Sequence, residues 1–261
     1  MTKHIGIVGC SAEGAALCYR TICLEAEPLM GRHMHPELTM HTIALAEYMK
    51  PIELTDDWEE VGKLMLRSAQ VLKRAGADFL ICPDNTIHQA LPFVVPRSPL
   101  PWLHIAEEVG KEAKRRGFRK LGITGTKFLV SGPVYTEKLE QMGIAYLRPT
   151  KEQQEHINTI IFDELVRGQQ TPESLFYFEQ VIEFFKTKGN ASWIVLSGQI
   201  KKSAPARFST CADLSISLPT SSQSSVNSIG FMYSANGIVC IVTSGCMCLP
   251  MRGSASRQIV R

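Results

Sequence analysis

The stretch 78-DFLICPDNTIHQAL-91 gathers side chains that could do chemistry. An apolar run closes at Cys82, and Pro83, Asp84, Asn85, Thr86 and His88 follow at once. A carboxyl group at Asp84 can take up or release a proton, while the Asn85 amide and the Thr86 hydroxyl can hold a carboxylate. The Cys82 thiol is a weaker second candidate, active only as thiolate. Two residues back on an extended segment, it could face the same way as Asp84, but about 6–7 Å toward the strand. The plainer use of the same residues is a helix cap, with Asp84 or Asn85 holding the first turn. The two uses are compatible, because a helix start also attracts carboxylates. His88, one turn further in, reads as a structural or supporting residue.

Such a cluster needs elements to position it. Residues 4–8 form a short apolar run ending at Gly9, and a helical pattern follows from 11 to 27. Residues 37–43 alternate like a strand. Thr55-Asp56-Asp57 signals a helix start, with Glu59 at the capping-box spacing from Asp56. That helix runs to Ala75 with Val61, Leu64, Met65, Ser68 and Leu72 on one face, and Gly76 stops it. Residues 78–82 read as a buried strand, 92–102 as a proline-rich connector, the residues to 116 as a helix and 120–124 as a strand. Alternating strands and helices predict an α/β fold with a largely parallel sheet. Ligands of such sheets lie beyond the carboxyl ends of the strands, where 9-GCSAEG-14 and 82-CPDNT-86 both fall.

The chain also echoes itself. The opening HIGIVGCSAEG resembles 120-KLGITGTKFLVSG-132, with Gly6 answering Gly122 at an offset of 116 residues. Likewise 77-ADFLICPDN-85 aligns without gaps on 191-ASWIVLSGQ-199 at an offset of 114, which sets Gly198 against Asp84. Two echoes in register predict two similar α/β half-domains, 1–100 and 101–200, related by a pseudo-two-fold duplication. Their strand-end loops would then line one cleft from opposite sides.

Composition excludes little beyond the obvious. Hydrophobic residues make up 44% of the chain and charged residues 20%, as in ordinary globular proteins. Residues 1–200 carry 22 Lys+Arg against 24 Asp+Glu, and residues 201–261 carry 6 against 1. No nucleic-acid partner is expected from such a balance, and the basic patch 114-KRRGFRK-120 reads as surface near a helix end. No apolar run reaches the roughly 18–20 residues of a membrane span, and the opening MTKHIGIVG reads as a strand, so no membrane partner and a cytoplasmic location are expected. Cysteines 10, 18, 23 and 82 lack C-x-x-C spacing and read as small buried hydrophobes. No metal site is expected either: the histidines of 33-HMHPELTMH-41 lack helical ligand spacing, and the C-x-C of 245-GCMCLP-250 has no His nearby. The aromatic run 176-FYFEQVIEFF-185 reads as the buried face of a helix.

The opening IGIVG, the strand leading into 83-PDNTIH-88, and LGITGT with SGPVY downstream resemble the aspartate/glutamate racemase family over about residues 3–196. That family also includes hydantoin racemases, maleate isomerases and arylmalonate decarboxylases. The resemblance implies two similar α/β domains with the active site between them, no cofactor, a small amino-acid or dicarboxylate substrate such as aspartate or glutamate, and a homodimer. Inversion at Cα needs one group on each face of the substrate, one acting as base and the other as acid. The family uses a cysteine from each domain. Here Asp84 stands in the place of the first and Gly198, which has no side chain, in the place of the second. The resemblance further implies substrate-binding roles for Gly9, Ser11, Asn85, Thr86, Thr126 and Ser131. Three readings stay open: a racemase, a one-sided decarboxylase or isomerase, and a catalytically impaired carboxylate-binding protein. The last 61 residues, with thirteen serines and one acidic residue, depart from the family and read as an atypical tail, disordered or frame-altered. The piece 236-NGIVCIVTS-244 could still form a strand.

Overall fold

The computed structural model describes residues 3–187, 193–196, 215–217, 227–234 and 237–244. In chain order the first half comprises β1 (Ile5–Gly9), α1 (Ala12–Met30), β2 (Leu38–Thr42), α2 (Leu45–Leu54), α3 (Trp58–Arg74) and β3 (Phe79–Ile81), then α4 (Leu91–Val94). The second half comprises α5 (Ile105–Arg115), β4 (Lys120–Thr124), α6 (Lys127–Ser131), α7 (Pro133–Gln141), β5 (Ala145–Leu147), α8 (Lys151–Asp163), α9 (Pro172–Thr187) and β6 (Trp193–Leu196). Further on, β7 (Ser215–Ser217), β8 (Asn227–Ser234) and β9 (Gly237–Ser244) form an antiparallel sheet. The piece 236–244 carries β9 from Gly237; β7 and β8 are the other described parts of the tail, and the remainder lies outside the described residues.

The fold is α/β with two parallel three-stranded sheets of the same order. In the first, β1 lies between β2 and β3; in the second, β4 lies between β5 and β6. The two echoes of the sequence therefore fall on equivalent strands: β1 matches β4, and β3 matches β6. Gly6 and Gly122 have the same reason to be glycine. A Cβ on Gly6 would lie 2.6 Å from Leu80 Cδ2 and 3.3 Å from Leu72 Cβ of α3, and one on Gly122 would lie 2.8 Å from the Phe185 ring of α9. In each half the central strand gives up a side chain so that the helix before the last strand can pack closely.

Strand alternation sorts the core. Ile5, Ile7, Phe79 and Ile81 point to one face, and Val8, Leu80 and Cys82 to the other. The first set shares a core with Val109 and Ala113 of α5 and with Leu121 and Ile123 of β4, so one apolar layer joins both sheets. The second set packs on Val61, Met65, Ala69 and Leu72, spaced for a single stripe of α3. That helix is capped by Asp57, not Asp56: Asp57 Oδ1 accepts from Glu60 N at 3.0 Å, while Asp56 sits at φ +50. The capping pair is shifted one residue from the spacing read in the sequence. Gly76, at φ +91, ends the helix as expected. The proline-rich connector is α4 followed by a short 3-10 turn. Residues 101–103 then lie beside β3, where Leu80 N donates to Pro101 O and Leu103 N donates to Leu80 O.

Candidate active site

Parallel pairing brings the ends of β1 and β3 together, so the loop after Gly9 meets the segment after Ile81. Asp84 closes the junction. Its Oδ2 accepts from Cys10 N at 3.0 Å and Ser11 N at 3.2 Å, and its Oδ1 accepts from Ser11 Oγ at 2.6 Å. Those amides belong to the start of α1, where backbone donors lack intrahelical acceptors. The next residue, Asn85, is buried, and its Oδ1 accepts from the hydroxyl of buried Tyr135 on α7 at 2.6 Å. That bond engages the oxygen end of the amide, whose Nδ2 carries the two donors. Thr86 Oγ1 lies 2.8 Å from Thr126 Oγ1, a hydroxyl pair joining the two halves. Thr126 also caps α6, accepting from Leu129 N at 3.2 Å.

His88 fastens this arrangement from behind. Its Nε2 lies 3.1 Å from Cys82 O, and its Nδ1 lies 3.3 Å from Ile105 N. The Ile105 amide can only donate, so Nδ1 accepts and Nε2 carries the proton: the ring is neutral. Burial, helped by neighbouring His104, pulls its pKa down to about 3. The ring ties the end of β3 to the start of α5, which agrees with a structural role.

Electrostatics separate the candidate acids. Burial pushes the Asp84 carboxyl above its usual 3.8, and the three hydrogen bonds pull the other way. A raised carboxyl is a better base for carbon acids than an ordinary one. Burial, followed by the Asp84 charge, holds the thiols of Cys10 and Cys82 well up, so both remain protonated at neutral pH. Cys82 packs in the α3 core, its Sγ 3.7 Å from Asp84 O, and does not face the cleft. Cys10 does.

The cleft offers about 110 Å³ and is bordered by Cys10, Ser11, Asp84, Asn85, Thr86 and Thr126 on its polar side. Ser11, Asn85, Thr86, Thr126 and Asp84 thus converge. Gly9 stands just behind: a Cβ there would lie 2.8 Å from both Ala15 Cβ and Thr42 Cγ2, so it packs the turn. Ser131 is exposed and borders a separate shallow depression with Lys127 and Lys151. Gly198 lies outside the described residues. Two further residues of the site had not been singled out from the sequence. Cys10 occupies the position that Thr126 holds in the second half by the same 116-residue offset, a signal present in the echo. Tyr135 ends the SGPVY motif, but its contact spans 50 residues and no local pattern announces it. The histidines at 33–41 do not converge: His35 Nδ1 lies 2.8 Å from Pro36 O and His41 Nδ1 lies 3.0 Å from Ser68 Oγ. Among the described residues no helix is long and apolar enough to cross a membrane.

Two parallel sheets of one topology, with a ligand-sized cleft, polar along one edge, where their strand ends meet, define a duplicated α/β protein with a small-molecule site between its halves. The chain belongs to the Asp/Glu/hydantoin racemase family, which it matches over residues 7–198. The match ends where the tail begins. Two solved structures are similar at 27% identity, each aligned over 74% of this chain and 84% of its own. They are an Asp/Glu racemase candidate from Yersinia pestis, with a TM-score of 0.65, and an aspartate racemase homologue from Pyrococcus horikoshii OT3, with 0.63. The broad specificity amino-acid racemase RacX of Bacillus subtilis (strain 168) is 25% identical over 158 residues, 60% of this chain. That alignment spans 62% of RacX.

Proposed function

We propose that the protein is a cofactor-independent amino-acid racemase-like isomerase that moves the Cα proton of a small amino acid or related carboxylate. The carrying observation is the Asp84 carboxyl, held by three donors at the polar edge of the cleft beside the Asn85 amide. In this reading Asn85 Nδ2 and the Thr86–Thr126 hydroxyls hold the substrate carboxylate and favour the charge that develops on it. Asp84 takes the Cα proton on the first-half face.

A second reading is supported by a separate observation: among the described residues that border the cleft, every titratable group comes from the first half. A single working base would suit one-sided chemistry, a decarboxylation or an isomerisation. Solvent deuterium exchange at Cα, run with both enantiomers of a bound amino acid, separates the readings. Exchange with inversion supports racemisation, and exchange with retention supports the one-sided reaction. Binding without exchange leaves a carboxylate-binding protein and defeats both enzymatic readings.

The reading carries the organisation expected from the sequence: half-domains 1–100 and 101–200, with 201–261 outside the racemase unit, in a cytoplasmic homodimer. Sedimentation tests the dimer. An in-frame transcript read across codons 190–205 would remove the idea of a frame-altered tail.

A further inference from the structure

The walls of the cleft narrow its substrate. Opposite the polar edge stand Leu45 and Met49 of α2, Phe128 of α6, Ile161 and Phe162 of α8, and Leu165 just beyond it. No Lys, Arg or His is among the described residues that border the cleft. Lys127, beside Thr126, is exposed; its ammonium lies 5.5 Å over the Phe128 ring, and the residue borders the separate depression. Among the described residues that border the cleft, the one charged side chain is Asp84, an acid.

A ligand carboxylate can be met once, by the Asn85 amide and the threonine hydroxyls. A second carboxylate, on the ligand's side chain, would have to enter the apolar wall without a counter-ion, and burying an unpaired charge is strongly unfavourable. It would also approach a like charge when Asp84 is ionised. An aliphatic or aromatic side chain gains from the same wall, roughly fourfold in affinity for each buried methylene.

We propose that the cleft selects amino acids with one carboxylate and an uncharged apolar side chain, of the size of norvaline, leucine or methionine, and discriminates against aspartate and glutamate. This rests on the reading of the cleft as an amino-acid site. Specificity then lies in the α2 and α8 walls, away from the proton-transfer group.

Titration calorimetry on the full chain tests it with alanine, 2-aminobutyrate, norvaline and norleucine, set against aspartate and glutamate, each as both enantiomers. Affinity should rise about fourfold per methylene along the series, and glutamate should bind at least tenfold more weakly than norvaline. Aspartate or glutamate binding as tightly as norvaline would overturn the inference while leaving the amino-acid site intact. Apolar ligands binding without Cα exchange would uphold it and defeat the enzymatic reading. Binding of none of them defeats both. Met49→Lys, at a half-exposed wall position, should shift the ratio at least tenfold toward glutamate. Leu45→Lys on the same helix repeats the test if that variant does not fold, and an unchanged ratio in the folded variant counts against the inference.

Discussion

After β1, the amides of Cys10 and Ser11 turn toward a carboxylate that arrives from the end of β3. After β4, on a strand of the same topology, Thr126 caps its own helix and Lys127 N donates to Asn158 Oδ1 at 3.0 Å. The first loop commits its donors to Asp84, whose counterpart in the duplication is a glycine. The second loop's donors meet Thr126 and Asn158 of α8, neither of which is an acid. The packing that shapes each half is shared, down to the glycine under the packed helix, but the polarity is not. Duplication preserved the apolar constraints, which are symmetric, while among the described residues that border the cleft the charge sits on the first-half side.

The comparison can be broken most severely through His88, which fastens the first strand end alone. Its folded pKa of about 3 lies below the ordinary 6.5, so the unfolded chain binds the extra proton between those values. The stability that depends on the neutral ring is complete above pH 6.5 and is lost as pH falls toward 3, on the order of 4–5 kcal/mol at full titration. Denaturant midpoints followed from pH 7 to pH 4 should show the loss, and His88→Gln should flatten it.

Removing the asymmetric charge comes next. Asp84→Asn keeps the shape and one acceptor oxygen, and should lower Cα exchange by about a hundredfold or more if Asp84 moves the proton. It also reports a pH effect of opposite sign. The Asp84 pKa is raised in the fold, so its contribution to stability is greatest below the unfolded value near 3.8 and declines as pH rises through the folded one. Exchange by the wild type should increase with pH over the same window, and neither trend should survive in the variant.

The symmetric part can be sharpened with Gly6→Ala and Gly122→Ala, measured side by side. Each added methyl meets a packed side chain within 3 Å, so each should cost about 1–3 kcal/mol by chemical denaturation. A large cost in one half and none in the other would show that the equivalence is only topological. Smallest is Thr126→Val, which removes the bond across the halves and a helix cap, for about 1 kcal/mol.

What could be seen in advance followed the same division. The strand at 120–124 was legible to the residue because a continuous apolar run between polar flanks leaves little choice. The cluster at 83–86 was legible because it sits at a strand end, where the fold places ligands. Beyond the SGPVY motif, residues 136–163 announce no element in the sequence. There β5 is three residues long and only half-buried, and α8 opens with KEQQEH, a polar turn that hides an apolar face reached at Ile157. The cleft walls escaped for another reason: Leu45 and Phe162 belong to different halves, and no periodicity reports a meeting across so many residues.

The Thr86–Thr126 pair has a consequence beyond holding the halves together. Two hydroxyls that share one hydrogen bond keep one proton to spare. When Thr86 donates, the proton of Thr126 is left over; when Thr126 donates, that of Thr86 is. Thr126 can accept from both Leu129 N and Thr86 because its oxygen has two lone pairs. Reversal needs only two C–O bonds to rotate. The pair therefore behaves as a seesaw for a single donor, which can rise on either side without any heavy atom moving.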